Sequence, residues 1–135
     1  MILLDTNVCI RILRRKSETM QFYLRNVGKI LLPAMSVAEL YYGAERSADP
    51  VRGCAVVDDF IDVVPVVQTN NEILQKFGEL KAVLAAKGEL VGDADTLIAA
   101  TALMLNIPLA TSNVKHFERF PELKICNPDE DDRQD

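Results

Sequence analysis

The chain has 135 residues, 49% of them hydrophobic and 26% charged, with a formal net charge of -5 at pH 7. That length fits one domain with a core of its own and leaves no room for a second of ordinary size, and no apolar run approaches the roughly 20 residues of a membrane-spanning helix. Three cysteines, Cys9, Cys54 and Cys126, and one histidine, His116, exclude a disulfide framework and a zinc site built from several histidines, and a Ser-His-Asp triad would have to rest on that one imidazole.

Apolar runs alternate with helical periodicity along the chain, which predicts βα units around a mostly parallel sheet. Residues 1–4 read as a buried strand, 6–15 as a helix and 18–27 as a second helix that Gly28 ends. A strand over 30–33 leads to Ser36, and Ser36 with Glu39 three residues on reads as a capping box for a helix over 37–46. A break at Ala48, Asp49 and Pro50 precedes a helix over 51–61. The β-branched stretch 63–67 reads as a strand whose Pro65 suits a sheet edge. Thr69 and Glu72 read as a second capping box, for a helix running to Ala86 with Gly88 beyond it. The next helix starts near Asp93 or Asp95 and ends near Asn106; a strand over 108–110, a helical turn over 114–118 and a strand over 123–126 follow. Residues 1–127 then form the domain, and 128–135 an acidic tail too poor in apolar residues to fold. The cysteines are expected to behave as small buried hydrophobes.

The amino terminus lacks a basic region followed by a long apolar stretch, so a soluble, cytoplasmic protein is expected. The tail carries Asp129, Glu130, Asp131, Asp132 and Asp135 against Arg133, which accounts for most of the net charge of -5. In the remainder, Arg11, Arg14, Arg15 and Lys16 form a basic cluster. Such a cluster grips phosphates or simply complements a helix end, and alone it favours the second reading.

The chemistry-bearing candidates are carboxylates at the ends of apolar runs. Asp5 follows Ile2, Leu3 and Leu4, Glu39 lies just inside its helix, and Asp93 and Asp95 open the run Leu97 to Ala100. In an open parallel sheet the carboxyl ends of the strands form the ligand crevice, and carboxylates gathered there repel one another unless a cation neutralises them. Hard oxygen donors favour Mg²⁺, or Mn²⁺, over zinc or copper. Each candidate also has an ordinary role: Asp5 as the N-cap of its helix, Glu39 as half of a capping box, and Asp93 as the cap that leaves Asp95 free to be a ligand. Thr6, Asn7, Ser36 and Thr111 are candidates to orient water or phosphate oxygens, Asn113 offers a neutral oxygen, and His116 reads as a packed surface histidine.

In combination these segments resemble a known family. Asp5-Thr6-Asn7 after an apolar strand, Ser36 and Glu39-Leu40 followed by Gly43, Asp95 with the run from Leu97 to Ala102, and Thr111-Ser112-Asn113 with His116-Phe117 occur in this order. Together they are similar to the PIN-domain family, specifically its VapC-like toxin ribonucleases. The resemblance implies an α/β fold of a single PIN-like domain, a central mostly parallel sheet flanked by helices. It also implies a metal-dependent endoribonuclease in which metal-activated water attacks an RNA phosphodiester, usually a homodimer, held in check by a small VapB-like antitoxin. Asp5, Glu39 and Asp95 fall on the family's acidic positions. Asn113 stands where an Asp is common, which shifts any second-metal burden towards Asp93. Arg11, Arg14 and Arg15 would contact RNA or face the antitoxin. Two rivals are a metal-dependent phosphatase of the haloacid dehalogenase type, which needs an Asp where Asn7 stands, and a catalytically silent PIN-like binding module.

Overall fold

The computed structural model describes residues 1–129; Glu130 and the rest of the acidic tail lie outside the described residues. The chain runs β1 (Ile2–Leu4), α1 (Thr6–Leu13), α2 (Ser17–Arg25), β2 (Ile30–Pro33), α3 (Ala34–Glu45), α4 (Pro50–Val63), β3 (Val66–Val67), α5 (Asn71–Ala86), α6 (Asp93–Leu105), β4 (Leu109–Ala110), α7 (Val114–Phe117) and β5 (Ile125–Cys126). The strands form one sheet in the order β3-β2-β1-β4-β5, and every pairing is parallel. The expected succession of strands and helices is present; the strand expected over 63–67 is shorter, because Val63 still belongs to α4 and Pro65 only precedes β3, which does lie at the sheet edge.

β1 is buried on both faces because successive residues of a strand point to opposite sides. Leu4 enters a core with Val8, Phe22, Leu40, Val57 and Phe60. Leu3 enters a second core with Leu84, Ile98, Ala99, Phe117 and Phe120. The sheet is thus packed between α1 to α4 on one side and α5 to α7 on the other. Register pairs Ile2 with Ile30 and Leu4 with Ala110, so the carboxyl ends of β1 and β4 lie side by side.

Helix starts depart from the expected caps. α3 begins at Ala34 with Pro33 as its N-cap, so Ser36 and Glu39 are already inside the helix and form no capping box. At α5 the cap is Asn70, whose side-chain oxygen accepts from the Ile73 N–H at 2.9 Å, in place of Thr69. α6 starts after Gly92 without a side-chain cap, so Asp93 is the first helical residue and not the cap. Of the cysteines only Cys9 is buried; Cys54 donates to Glu45 Oε1 at 3.1 Å. Left-handed residues close several helices: Arg15 after α1, Gly28 after α2, Gly88 after α5 and Asn106 after α6.

Leu4 is fully buried in the central strand, so Leu4→Ala leaves a cavity where the surroundings cannot collapse. A loss of about 2–5 kcal/mol of unfolding free energy is expected in urea titration.

Candidate functional site

Strand order reverses at β1: the chain builds outward through β2 to β3, then returns to the other flank of β1 with β4 and β5. The crevice beyond such a switch point is where open α/β sheets bind ligands. Asp5, the first residue after β1, stands there and is 3% exposed. Its N–H donates to the Ala110 carbonyl at 3.0 Å, continuing the sheet pairing for one residue. Its Oδ1 accepts from the Thr6 N–H at 2.8 Å, and its Oδ2 accepts from the Thr111 hydroxyl, also at 2.8 Å. The two sequence readings of Asp5 therefore coincide: it caps α1 with one oxygen and faces the crevice with the other.

Glu39 reaches the same place from α3. One helical turn beyond the start of α3, its Oε1 accepts from the Thr6 hydroxyl at 2.6 Å. The Thr6 hydroxyl also lies 3.0 Å from Ser36 Oγ, which is 3.4 Å from the Leu4 carbonyl. Ser36 is fully buried and ties α3 to the end of β1, whereas a capping serine would be at a helix mouth. Asp95, in the first turn of α6, is half-buried, and its Oδ2 lies 2.9 Å from His116 Nε2.

Burial is the largest influence on Asp5 and pushes its carboxyl above the ordinary 3.8; the Thr111 hydrogen bond opposes this, the charge of Asp95 adds to it, the Thr6 N–H opposes it and the charge of Glu39 adds to it. Three elements thus deliver negative charge to one buried oxygen pair. Among the described residues, no three His, Cys, Asp or Glu side chains are gathered tightly enough to hold a metal ion between them. The donor chemistry fits a hard divalent cation of the Mg²⁺ type, which takes one or two carboxylates and keeps water or substrate oxygens for its other positions.

Other candidates sit elsewhere. The Asp93 side chain is 66% exposed and pairs with Lys81 at 3.0 Å. Asn113 is exposed at the start of α7; its N–H bonds Thr111 Oγ1 at 3.0 Å while its side chain caps nothing. Asn7 is exposed on α1. The basic cluster divides: Arg14 lines a groove with Glu39, Leu13 and Leu40, Arg11 pairs with Asp129 at 2.9 Å, and Arg15 is exposed in the left-handed turn.

His116 is the residue that sequence reasoning undervalued. Its ring does pack edge-on against Phe117, with centroids 5.7 Å apart, yet its Nε2 meets Asp95. That nitrogen is buried and makes no well-aligned hydrogen bond, so the contact is a close approach without a directed N–H···O bond. The spacing from Asn113 to His116 held the signal: a residue one turn into a helix that starts beside a strand's carboxyl end leans back towards the crevice, as Glu39 does.

A PIN domain matches residues 2–123. Ribonuclease VapC2 of Haemophilus influenzae is 36% identical over 126 residues, covering 93% of this chain and 96% of the relative. The tRNA(fMet)-specific endonuclease VapC of Salmonella typhimurium is 35% identical, covering 91% and 94%. Among solved structures, DNA-bound VapBC from Salmonella typhimurium superposes with a TM-score of 0.89 at 32% identity, covering 94% of this chain and 97% of the other. VapBC2 from Rickettsia felis, bound to a promoter DNA fragment, gives 0.87 at 28% identity, covering 94% and 98%.

Because the folded Asp5 carboxyl is raised above its unfolded value, the folded chain holds the proton more tightly, and stability falls as pH rises from the unfolded value through the folded one. In chelator, Asp5→Asn removes the buried charge, so its thermal midpoint at pH 7 is expected to exceed that of the wild type. The difference should shrink as pH is lowered below 4. Equal midpoints at pH 7 would contradict the charge conflict at Asp5.

Proposed function

We propose, on the premise that this chain belongs to the PIN-domain family, that it is a metal-dependent endoribonuclease acting as the toxin of a toxin-antitoxin pair. The observation that carries the reading is Asp5 at the switch point, buried and under the charges of Asp95 and Glu39. Asp5, Asp95 and Glu39 are the proposed ligands and catalytic carboxylates, with Mg²⁺ the proposed ion and Mn²⁺ a competent substitute. When bound, the cation supplies the positive charge that acidifies water and offsets charge on the phosphoryl and leaving oxygens.

The protein's part is to hold donors that would otherwise repel. Thr111 and the Thr6 N–H fix the two oxygens of Asp5 in direction, and the Thr6 hydroxyl fixes Glu39. Ser36 braces α3 against β1 so that Glu39 cannot withdraw. Such pre-orientation leaves little reorganisation for the reaction itself. Asp93 is engaged by Lys81 and Asn113 is exposed, which favours a single ion.

The partner is proposed to be a small VapB-like antitoxin, in keeping with the VapBC complexes that this chain resembles. A homodimer and action in the cytoplasm belong to the same reading; among the described residues, no helix is long and apolar enough to cross a membrane. Arg11, Arg14 and Arg15 are the proposed contacts for RNA phosphates or the antitoxin, and Arg14 has the best support because it shares a groove with Glu39.

Asp5→Asn should reduce RNA cleavage at least about 100-fold in the presence of Mg²⁺ while circular dichroism stays unchanged, the scale of losing a group that holds transition-state charge. Cleavage by the purified variant at the wild-type rate would refute the assignment. For Arg14→Ala, weaker RNA binding is expected, with the slope of log K against log salt reduced by about one. An unchanged slope would leave Arg14 out of the RNA path.

A further inference from the structure

The carboxylate site leaves Tyr42, Gly43 and Arg46 without a task, although they share a helix with Glu39. Spacings of i, i+3, i+4 and i+7 from Glu39 put all four on one face of α3 and its C-cap. With 1.5 Å of rise per residue, the stripe starts at the crevice and runs about 10 Å along the helix from it. Of the three tyrosines and five phenylalanines in the chain, Tyr42 alone is exposed, at 63%. Its neighbour Tyr41 points elsewhere, packing against the core beside α4 while its hydroxyl donates to Asp58. The Arg46 guanidinium lies over the Tyr42 ring, 5.4 Å from the centroid, and is exposed as well. Such a pair also forms as an ordinary contact one helical turn apart, so alone it marks no site. Gly43 supplies the second observation. It lies inside α3 without a positive φ, and a Cβ there would meet nothing within 4 Å. The fold thus has room for alanine, which suits a helix better than glycine does. What the missing Cβ provides is close approach to the backbone from outside the chain, in the groove that Gly43 lines with Arg14 and Glu39.

We propose that this stripe is a shelf for unpaired RNA: a nucleobase close to the scissile phosphodiester stacks on Tyr42, and the strand passes over the bare surface of Gly43 with Arg14 and Arg46 beside its phosphates. The proposal rests on the ribonuclease reading of the site and deepens it, from cleavage of RNA to selection of its single-stranded form. An exposed ring with cations next to it is the combination that holds single strands, because every base has a face to stack while the charges follow the backbone. A base inside a duplex has both faces covered and offers neither to Tyr42. Charge complementarity favours RNA over a second copy of this acidic chain, since both cations of the stripe match phosphate.

The chain contains no tryptophan, so Tyr42→Trp places a single indole on the shelf. The full chain carrying this change together with Asp5→Asn, which slows cleavage, is titrated in Mg²⁺ with a single-stranded oligoribonucleotide of mixed sequence and with a blunt RNA duplex. Saturable quenching of the indole by the single strand is expected, and little by the duplex. In the Asp5→Asn background, Tyr42→Ala should weaken single-strand binding about 10-fold, whereas Tyr42→Phe should keep it. Gly43→Ala should raise the thermal midpoint and weaken the same binding, two effects that a purely structural glycine would not combine. In the active chain, Tyr42→Ala should raise KM more than it lowers kcat. Single-stranded RNA that binds without changing the emission, or that binds Tyr42→Ala as well as its parent, would overturn the shelf and leave the ribonuclease reading standing. Emission that shifts with protein concentration in place of RNA would give this face to a second copy and overturn the shelf too. Absence of saturable RNA binding in every variant, with no cleavage by the wild type, would overturn both readings.

Discussion

A buried carboxylate that two others push towards its protonated form is the constraint around which this molecule is arranged. Asp5 is where it is because β1 is central and parallel to both neighbours, so its carboxyl end can only open into the crevice beside β4. Burial of Leu3 in one core and Leu4 in the other holds that strand from both faces, and a strand so held cannot shift to relieve the charge at its end. The stabilisation from these apolar contacts is therefore what permits an unfavourable electrostatic arrangement at the site. Sites of this kind trade stability for a pre-set affinity towards a positive charge.

The hydroxyl groups of the crevice show how the charge is kept ordered. Thr111 follows the strand next to β1, Thr6 belongs to the helix that leaves it, and Ser36 to the helix that packs over it. Each reaches across to a different element, so the position of Asp5 relative to Glu39 is fixed by hydrogen bonds that join β4, α1, β1 and α3. Such bonds lower the cost of the charged forms without supplying any net positive charge, and the residual repulsion remains for a cation to remove.

Much of this was legible in the amino-acid sequence. The apolar run before Asp5, the β-branched edge strand and the apolar α6 carried their own signals, because burial on both faces of a strand or all round a helix leaves few compositions possible. The helix starts were less legible. Ser36 with Glu39 has the spacing of a capping box, but Pro33 already holds the extended backbone of a cap and Ala34 enters the helix at once, so the pattern lies one turn too deep. Thr69 lost its role to Asn70 because one residue of displacement decides which oxygen meets the third free N–H. The basic cluster looked like one surface in sequence; in the structure Arg11 pairs with Asp129 and Arg14 lines the groove beside Glu39, while the left-handed Arg15 turns the chain between α1 and α2. Side-chain direction at a short helix is set by the angle at which that helix leaves the sheet, a tertiary quantity, and so His116, expected only to pack at the surface, also meets Asp95 while Asn113 is exposed.

The three carboxylates are held unequally. Asp5 has two hydrogen-bond donors and Glu39 has one, all from hydroxyls or a backbone N–H with fixed direction. For Asp95 the partner among the described residues is the imidazole, at a distance suited to bonding but off the line a hydrogen bond needs. A carboxylate that is firmly tethered loses little entropy when an ion arrives, whereas one held by a nitrogen without a directed bond gains the most order from it. The side of the crevice formed by α6 and α7 is accordingly where binding of a cation would change the protein most, while the side formed by β1, α1 and α3 is already set before it arrives.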